Sequence, residues 1–196
     1  SANPGDIIEI SELAYFPDTV DSWELGAKTT WLDGALTLNG AVFYMDWSQP
    51  QVSSTNVFAG TSITVNAGAA KTQGVELSGS WDVTDQFNLR GSFSHTKAEL
   101  TEGVGSLIST ITPPGFATSF IDGQKGDRLP GSPETQFSMY GSYDQPLDNG
   151  DALVFNGGYA WQSDVFSRTG SRGNGYVLPS YGRANISAGY LADKWA

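Results

Sequence analysis

Residues 66–100 read NAGAAKTQGVELSGSWDVTDQFNLRGSFSHTKAEL, and this stretch decides the fold of the chain. On either side of the turn at residues 83–86, apolar and polar side chains alternate at period two. Such alternation predicts two β-strands joined as a hairpin, with one apolar and one polar face. The apolar face carries Val75, Leu77, Trp81, Leu89 and Phe93, and the polar face carries Glu76, Ser78, Arg90 and Ser92. We expect Glu76 and Arg90 to be able to pair across the hairpin.

Two environments produce a hairpin with this pattern. In a soluble sheet the apolar face meets a core and the polar face meets water. In an outer-membrane barrel the apolar face meets lipid and the polar face lines a hydrated lumen. The hairpin alone does not separate them, so the rest of the chain must.

The composition is that of an all-β protein rich in turns. The 196 residues include 24 glycines, 9 prolines and no cysteine, so neither a disulfide framework nor a thiol nucleophile is available. The formal charge of −11 argues against nucleic acid as a partner, because phosphates would be repelled. No apolar run reaches the ~18 residues of a transmembrane helix.

Alternating patterns predict an antiparallel up-and-down meander of about seven long strands. They fall in residues 22–31, 35–47, the two arms of 67–100, 133–143, 151–162 and 180–191, with a further brief strand at 6–10 and a turn beginning at 192–196. The connections alternate between short (32–34, 83–86, 144–150) and long (48–65, 101–132, 163–179). In a meander this puts every short turn at one end and every long loop at the other, as in bacterial outer-membrane barrels.

Aromatic residues cluster at the predicted strand ends. Those at the short-turn end are Trp31, Trp81, Phe87 and Tyr143, and those toward the long-loop end are Tyr44, Tyr159 and Trp161. Two such belts flanking smaller apolar residues are typical of a lipid-facing surface. The sequence therefore favours a segment of a transmembrane β-barrel over a soluble all-β domain.

Three further stretches carry a family resemblance. Residues 19–47 read TVDSWELGAKTTWLDGALTLNGAVFYMDW, residues 129–143 read LPGSPETQFSMYGSY, and residues 178–196 read LPSYGRANISAGYLADKWA. With the hairpin at 66–100, they resemble, in order and spacing, segments of the β-barrel of TonB-dependent outer-membrane receptors. The resemblance implies a 22-stranded, plugged barrel, of which residues 1–196 form an internal piece of the C-terminal part. The first ten residues lack the features of a signal peptide. We therefore expect the signal peptide, the plug with its TonB box and the last strands to lie outside this piece.

The same resemblance implies a function in the outer membrane of a Gram-negative bacterium. Receptors of this kind take up a scarce ligand, most often a ferric siderophore, with energy delivered by the TonB–ExbB–ExbD system through the plug. The implied partners are outer-membrane lipid, that energising system, and a small-molecule ligand such as an iron chelate, cobalamin or a glycan. The barrel would perform no catalysis and need no cofactor. Two alternatives stay open: a passive porin-like channel and a soluble all-β glycan-binding module.

Ligand contacts in such a receptor would come from the long-loop end and the upper lumen. Arginine and aromatic side chains suit anionic, conjugated chelates, although ordinary loop composition explains each of them equally well. The candidates are Trp47, Lys125, Arg128, Arg168, Arg172, Tyr176 and Arg183.

The sequence predicts no catalytic, metal or cofactor site. His95 is the only histidine and has no cysteine to share a metal, so a surface or interfacial role is expected. The glycine-rich run at 169–175 lacks the following helix that a phosphate site requires. The acidic turn at 144–151 lacks the spacing and the closing glutamate of a calcium loop.

Overall fold

The computed structural model describes residues 16–55, 62–66, 68–112, 117–173 and 175–192, and these are organised almost entirely as β-strands. The brief strand predicted at 6–10 and most of the turn predicted at 192–196 lie outside the described residues. No helix among the described residues has the length and apolar character needed to cross a bilayer.

Seven long strands form one antiparallel sheet, in which they lie side by side in the order of the chain. The long strands are β1 (Thr19–Trp31), β2 (Leu36–Ser48), β5 (Ala69–Asp82), β6 (Phe87–Leu100), β9 (Thr135–Pro146), β10 (Ala152–Gln162) and β13 (Tyr181–Leu191). Each long strand pairs with the long strands before and after it in the chain, so the predicted meander of seven strands is confirmed.

The long connections contain short hairpins that the sequence analysis did not resolve. The first holds β3 (Gln51–Thr55) and β4 (Ser62–Asn66), the second β7 (Val104–Thr112) and β8 (Ala117–Gly123), and the third β11 (Val165–Phe166) and β12 (Val177–Leu178). Each pair forms its own two-stranded sheet. Short 3₁₀ turns occupy Leu32–Gly34 and Thr169–Ser171. Strands of two to five residues carry too few alternations to be recognised, and in the longer β7 and β8 apolar residues stand next to each other instead of alternating.

The register places mostly polar side chains in continuous rows on one face of the sheet. One row runs through all seven strands: Lys28, Asn39, Ser78, Ser92, Ser138, Ala160 and Arg183. Within it the hydroxyl oxygens of Ser92 and Ser138 are 2.7 Å apart, within hydrogen-bond distance. The row one residue further along lies on the opposite face and reads Ala27, Gly40, Leu77, Phe93, Phe137, Trp161 and Gly182. The two faces of the opening hairpin therefore continue across the whole sheet.

The polar face is the concave one. A groove of about 820 Å³ runs across it and is lined by residues from every long strand, from Glu24 on β1 to Arg183 on β13. A groove can touch seven neighbouring strands only if the sheet curves around it. The sheet thus has an inner, largely polar face and an outer face.

The predicted pairing of Glu76 with Arg90 is wrong. Glu76 lies opposite Ser94, whereas Arg90 lies opposite Ser80. Ser94 and Arg90 are four residues apart on β6, or about 13 Å at the rise of an extended strand. The Nε of Arg90 instead donates a hydrogen bond to Oδ1 of Asn88, at 3.0 Å. Alternation correctly assigned both residues to one face but could not supply their register.

The outer face is apolar and uncovered. Leu25 is 76% exposed, Leu77 50% and Ile186 89%, while among the described residues the buried apolar side chains are Pro50, Ala70, Leu100 and Val104. Aromatic rings meet toward the long-loop end, where the centroids of Trp23 and Tyr44 are 5.9 Å apart. An apolar face of this extent without a core against it is typical of a surface that meets lipid.

Charged side chains mark the end of this apolar band. Asp21, Asp46, Lys71 and Glu99 form one row across four strands, on the outer face beyond the aromatic residues of the long-loop end. Glu99 pairs with Lys71 at 3.1 Å and with Lys97 at 2.7 Å. Ion pairs of this kind are stable in water or at a headgroup layer and not in hydrocarbon, so the row sets the boundary of the band.

Glycine at position 74 makes room for an aromatic ring on the inner face. A Cβ there would lie 2.5 Å from the carbonyl oxygen of His95 and 2.7 Å from Cζ of Phe43. The ring of Phe43 therefore lies over the bare backbone of the neighbouring strand. The close approach packs β2 against β5 where no side chain larger than hydrogen fits.

We predict that charge is tolerated on one face only. In the full-length protein, Leu77→Arg should make membrane assembly less favourable by about 2–4 kcal/mol, because the guanidinium would face hydrocarbon near mid-membrane. Leu89→Arg, level with Trp81 in the aromatic belt, should have a smaller effect, and Ser78→Arg places the charge on the hydrated face. The measurement is the amount of folded, heat-modifiable protein in outer-membrane fractions. Equal yields from Leu77→Arg and Ser78→Arg would contradict the assignment of the faces.

We also predict that Gly74→Ala destabilises the barrel by about 1–3 kcal/mol, because the added methyl overpacks the contact with Phe43. Gly157→Ala is the matched control, since a Cβ at that strand position meets no atom within 4 Å. Denaturant unfolding of the full-length protein in lipid or detergent would measure both. The same stability for the two variants would show that the close approach of Phe43 to Gly74 does not limit the stability of the barrel.

Candidate functional site

Residues 124–134, which we call the strap, run beside the end of β6 at the long-loop end of the sheet. The amide of Leu100 donates to the carbonyl of Asp127 at 2.9 Å, and the amide of Leu129 donates to the carbonyl of Ala98 at 2.9 Å. An isolated antiparallel bridge joins Glu99 to Arg128. These bonds fix the strap to the end of β6, so its side chains have defined positions beside that strand.

The connection from β10 to β13 lies beside the strap. In this 163–176 loop the amide of Ser167 donates to the carbonyl of Tyr176 at 2.9 Å, and the amide of Tyr176 donates to Oγ of Ser167 at 2.7 Å. Gly170 lies in the 3₁₀ turn with a φ of +59°. The loop is thus closed on itself at its base and turned sharply at its middle.

Arg128, one of the predicted ligand contacts, is engaged by the protein itself. Its Nη1 lies 2.9 Å from Oδ2 of Asp164, and its Nε lies 3.6 Å from Oε1 of Glu134. The guanidinium also lies 4.7 Å from the ring centroid of Phe166. Its side chain is only 13% exposed. The positive charge of Arg128 is therefore compensated within the structure.

Arg172 is engaged in the same way. It holds the carboxylate of Asp127 with both Nε and Nη2, and its Nη2 donates to Oε1 of Gln124 at 2.8 Å. The hydrogen bonds from Arg172 hold the pKa of the Asp127 carboxyl below its usual range. Because that pKa is lower in the folded protein than in an unfolded chain, the pair stabilises the loop at any pH above the unfolded value. Its contribution is lost only as the pH falls through the folded value.

Trp47 belongs to a small apolar core on the inner face at the long-loop end. It packs with Leu129 against the buried residues Ala70, Leu100 and Val104. Its indole Nε1 donates to Oδ2 of Asp18 at 2.9 Å. This core joins the ends of β2, β5 and β6 to the start of β7, so Trp47 has a packing role whatever else it contacts.

The remaining predicted contacts differ in their surroundings. Arg183 lies on the inner face and lines the groove, with its guanidinium 5.9 Å from the ring centroid of Tyr181. Among the described residues, no carboxylate lies within ion-pair distance of Arg183. Tyr176 is 72% exposed, Lys125 is exposed on the strap, and Arg168 is half-buried beside the 3₁₀ turn.

The structure does not gather all these candidates into one site. Arg128 and Arg172 lie together where the strap meets the 163–176 loop, whereas Trp47 and Arg183 lie five strands apart in the sheet order. Sequence reasoning missed the carboxylates Asp127 and Asp164, which hold the two arginines. Nothing in the local pattern marks them, because Asp127 and Arg172 are 45 residues apart.

The other motifs have structural surroundings. His95 lies on the outer face opposite Val75, and its Nδ1 is 2.9 Å from Oγ1 of Thr135. The run at 169–175 opens with a 3₁₀ turn, and Asn149 donates to Asp151 within the acidic turn. In the part of the chain that the structure describes, no group of three or more His, Asp or Glu side chains is placed to hold a metal ion.

Comparison with known proteins places this arrangement in a family. Residues 13–195 match the family described as TonB dependent receptor-like, beta-barrel. A probable TonB-dependent siderophore receptor, PiuA of Acinetobacter baumannii, is 26% identical over 91% of this chain. The metal-pseudopaline receptor CntO of Pseudomonas aeruginosa is 24% identical over 97% of it.

Solved structures share the fold. The ferric yersiniabactin uptake receptor FyuA of Yersinia pestis superimposes with a TM-score of 0.65 over 90% of this chain, at 19% identity. The crystal structure of the siderophore receptor PiuA from Acinetobacter baumannii gives the same TM-score over 95% of this chain, at 21% identity. The chain covers 22% and 24% of the two curated relatives and 23% and 24% of the two structures. It therefore spans about a quarter of their length.

The family match covers almost the whole chain, and the sheet has the two faces that a barrel wall in a membrane requires. The chain belongs to the β-barrel of the TonB-dependent receptors, which are proteins of the outer membrane.

Proposed function

We propose that this chain is part of the barrel wall of a receptor that imports a ferric siderophore across the outer membrane. The observation that carries the proposal is the match of residues 13–195 to the family barrel, in a sheet that is apolar outside and polar inside. The names of the similar proteins support the class of ligand, since they are described as siderophore, metal-pseudopaline and ferric yersiniabactin receptors.

The wall contributes to import by its two faces and not by chemistry. Its outer face anchors the barrel in lipid through the apolar rows around Leu77 and Phe93. Its inner face offers hydroxyl, amide and charged groups to water and to a passing polar ligand. A receptor of this kind is a transporter and does not convert its ligand.

We further propose that the signal peptide, the plug with its TonB box and the last barrel strands belong to the rest of the full-length protein. In that arrangement TonB, with ExbB and ExbD, would act on the plug and not on the wall described above. The wall would guide the ligand once the plug has moved.

We expect ligand recognition at the long-loop end to depend most on a guanidinium whose charge no carboxylate of the described residues compensates. Arg128 and Arg172 are each paired with a carboxylate, so little of their charge is available to an anionic chelate. Arg183 faces the groove and stacks near Tyr181, a combination that suits a negatively charged, conjugated ligand. We therefore place Arg183 first among the predicted contacts, with Tyr176, Arg168 and Trp47 nearer the rim.

Iron uptake in the host bacterium tests the proposed function. Cells would be given ⁵⁵Fe bound by the chelators of their own iron-starved culture medium. Deleting the gene for this protein should abolish most of the ⁵⁵Fe uptake from one class of chelate. Deleting TonB should abolish the uptake of the same chelate. Uptake through this protein that persists without TonB would identify a passive channel instead.

We predict that Arg183→Ala weakens binding of the same ⁵⁵Fe chelates to intact, de-energised cells by about tenfold or more, since one charge-assisted contact contributes about 1.5–3 kcal/mol. Arg90→Ala is the matched control, because Arg90 is on the same inner face but near the short-turn end. Unchanged binding by Arg183→Ala, at equal surface abundance, would remove Arg183 from the contact set.

A further inference from the structure

Two neighbouring residues of the strap each form an ion pair with an oppositely charged residue of the 163–176 loop. Asp127 of the strap receives Arg172 from the loop, and Arg128 of the strap reaches Asp164 of the loop. The donor is thus on the loop in one pair and on the strap in the other. We call these two ion pairs the clasp.

The ion pairs of the clasp are largely shielded from water. The side chains of Asp127 and Arg128 are only 11% and 13% exposed, so water screens them less than it screens surface pairs. Arg128 also donates to the backbone carbonyls of Ser132, at 3.1 Å, and Asp164, at 2.6 Å. The guanidinium is therefore held in one orientation by groups from both segments.

Backbone bonds run alongside the clasp. The amide of Gly170 donates to the carbonyl of Arg128 at 2.9 Å, and the amide of Gly131 donates to the carbonyl of Phe166 at 3.0 Å. Like the ion pairs, these bonds run in both directions between the strap and the loop. Neither segment can shift past the other without breaking ion pairs and backbone bonds together.

Gly170 shows how closely the two segments fit. A Cβ at this position would lie 2.6 Å from Cγ of Asp127, and the φ of +59° already disfavours other residues. The turn of the loop therefore approaches the clasp carboxylate as closely as a glycine allows.

We propose that the clasp joins the strap and the 163–176 loop into one rigid body, so that these parts of two separate surface loops move together. Arg128 and Arg172 then serve to hold the rim of the receptor in shape and not to contact ligand. This inference depends on contacts between residues of the chain, so it stands or falls independently of the ligand and of TonB.

Pulsed electron paramagnetic resonance on the full-length receptor in lipid tests the inference. Spin labels would be attached at Lys125→Cys on the strap and Val177→Cys after the loop, both exposed positions in a segment without native cysteine. We expect one narrow distance distribution in the otherwise unchanged protein. The double variant Arg128→Gln/Arg172→Gln should at least double its width. Heat-modifiable migration on gels confirms that the barrel itself remains folded.

Two matched controls separate the clasp from general loop changes. Glu102→Gln removes an exposed carboxylate from the same long loop as the strap, and it should leave the distribution narrow. Gly170→Ala keeps every charge but drives a methyl group into Asp127, so it should broaden the distribution. Gly126→Ala carries a similar positive-φ strain, at +88°, but a Cβ there meets no atom within 4 Å. This variant should leave the distance distribution narrow. The inference is overturned if the double variant gives a distance distribution as narrow as that of the parent. It is also overturned if Glu102→Gln broadens the distribution as much as the double variant does.

Discussion

The pairing of backbone groups between neighbouring strands is the constraint on which this structure depends. Hydrocarbon offers no hydrogen-bond partner, so each amide and carbonyl of a membrane-crossing strand must be satisfied by the next strand. The chain meets this demand with pairings that run without a register shift from Thr19↔Ser48 to Trp31↔Leu36 and onward across seven strands. Continuous pairing in turn keeps the inner and outer faces distinct along the sheet, because a slip of one residue would exchange the two faces.

The seven strands and their faces could be predicted because both follow from local sequence. Period-two alternation identifies a strand and sorts its residues into two sets, and the lengths of the connections order the strands. Register is different, since it depends on which residues meet across the turn. The sequence put Glu76 and Arg90 on one face, which is correct, but left them free to be neighbours, which the pairing of Arg90 with Ser80 excludes.

The candidate site could be predicted only in part, for a similar reason. Trp47 and Arg183 were placed at the long-loop end and the inner face by strand position alone, and the structure has them there. The surroundings of Arg128 and Arg172 depend on contacts over 36 and 45 residues between segments that carry no regular pattern. Residue type suggested that all four could meet an anion, but whether an arginine is already paired is a property of the folded chain.

Charge pairing therefore divides arginines that look equivalent in the sequence. A guanidinium held by a carboxylate offers little net attraction to an anion, and releasing it would leave a partly buried carboxylate uncompensated. The lowered pKa of Asp127 keeps that carboxyl charged throughout the range above its usual titration, so mild acidity outside the cell would not open its pair with Arg172. No carboxylate among the described residues pairs with Arg183, and this arginine faces the groove. The rim can thus be rigid where arginines are paired with carboxylates, and it can still attract an anionic ligand through Arg183.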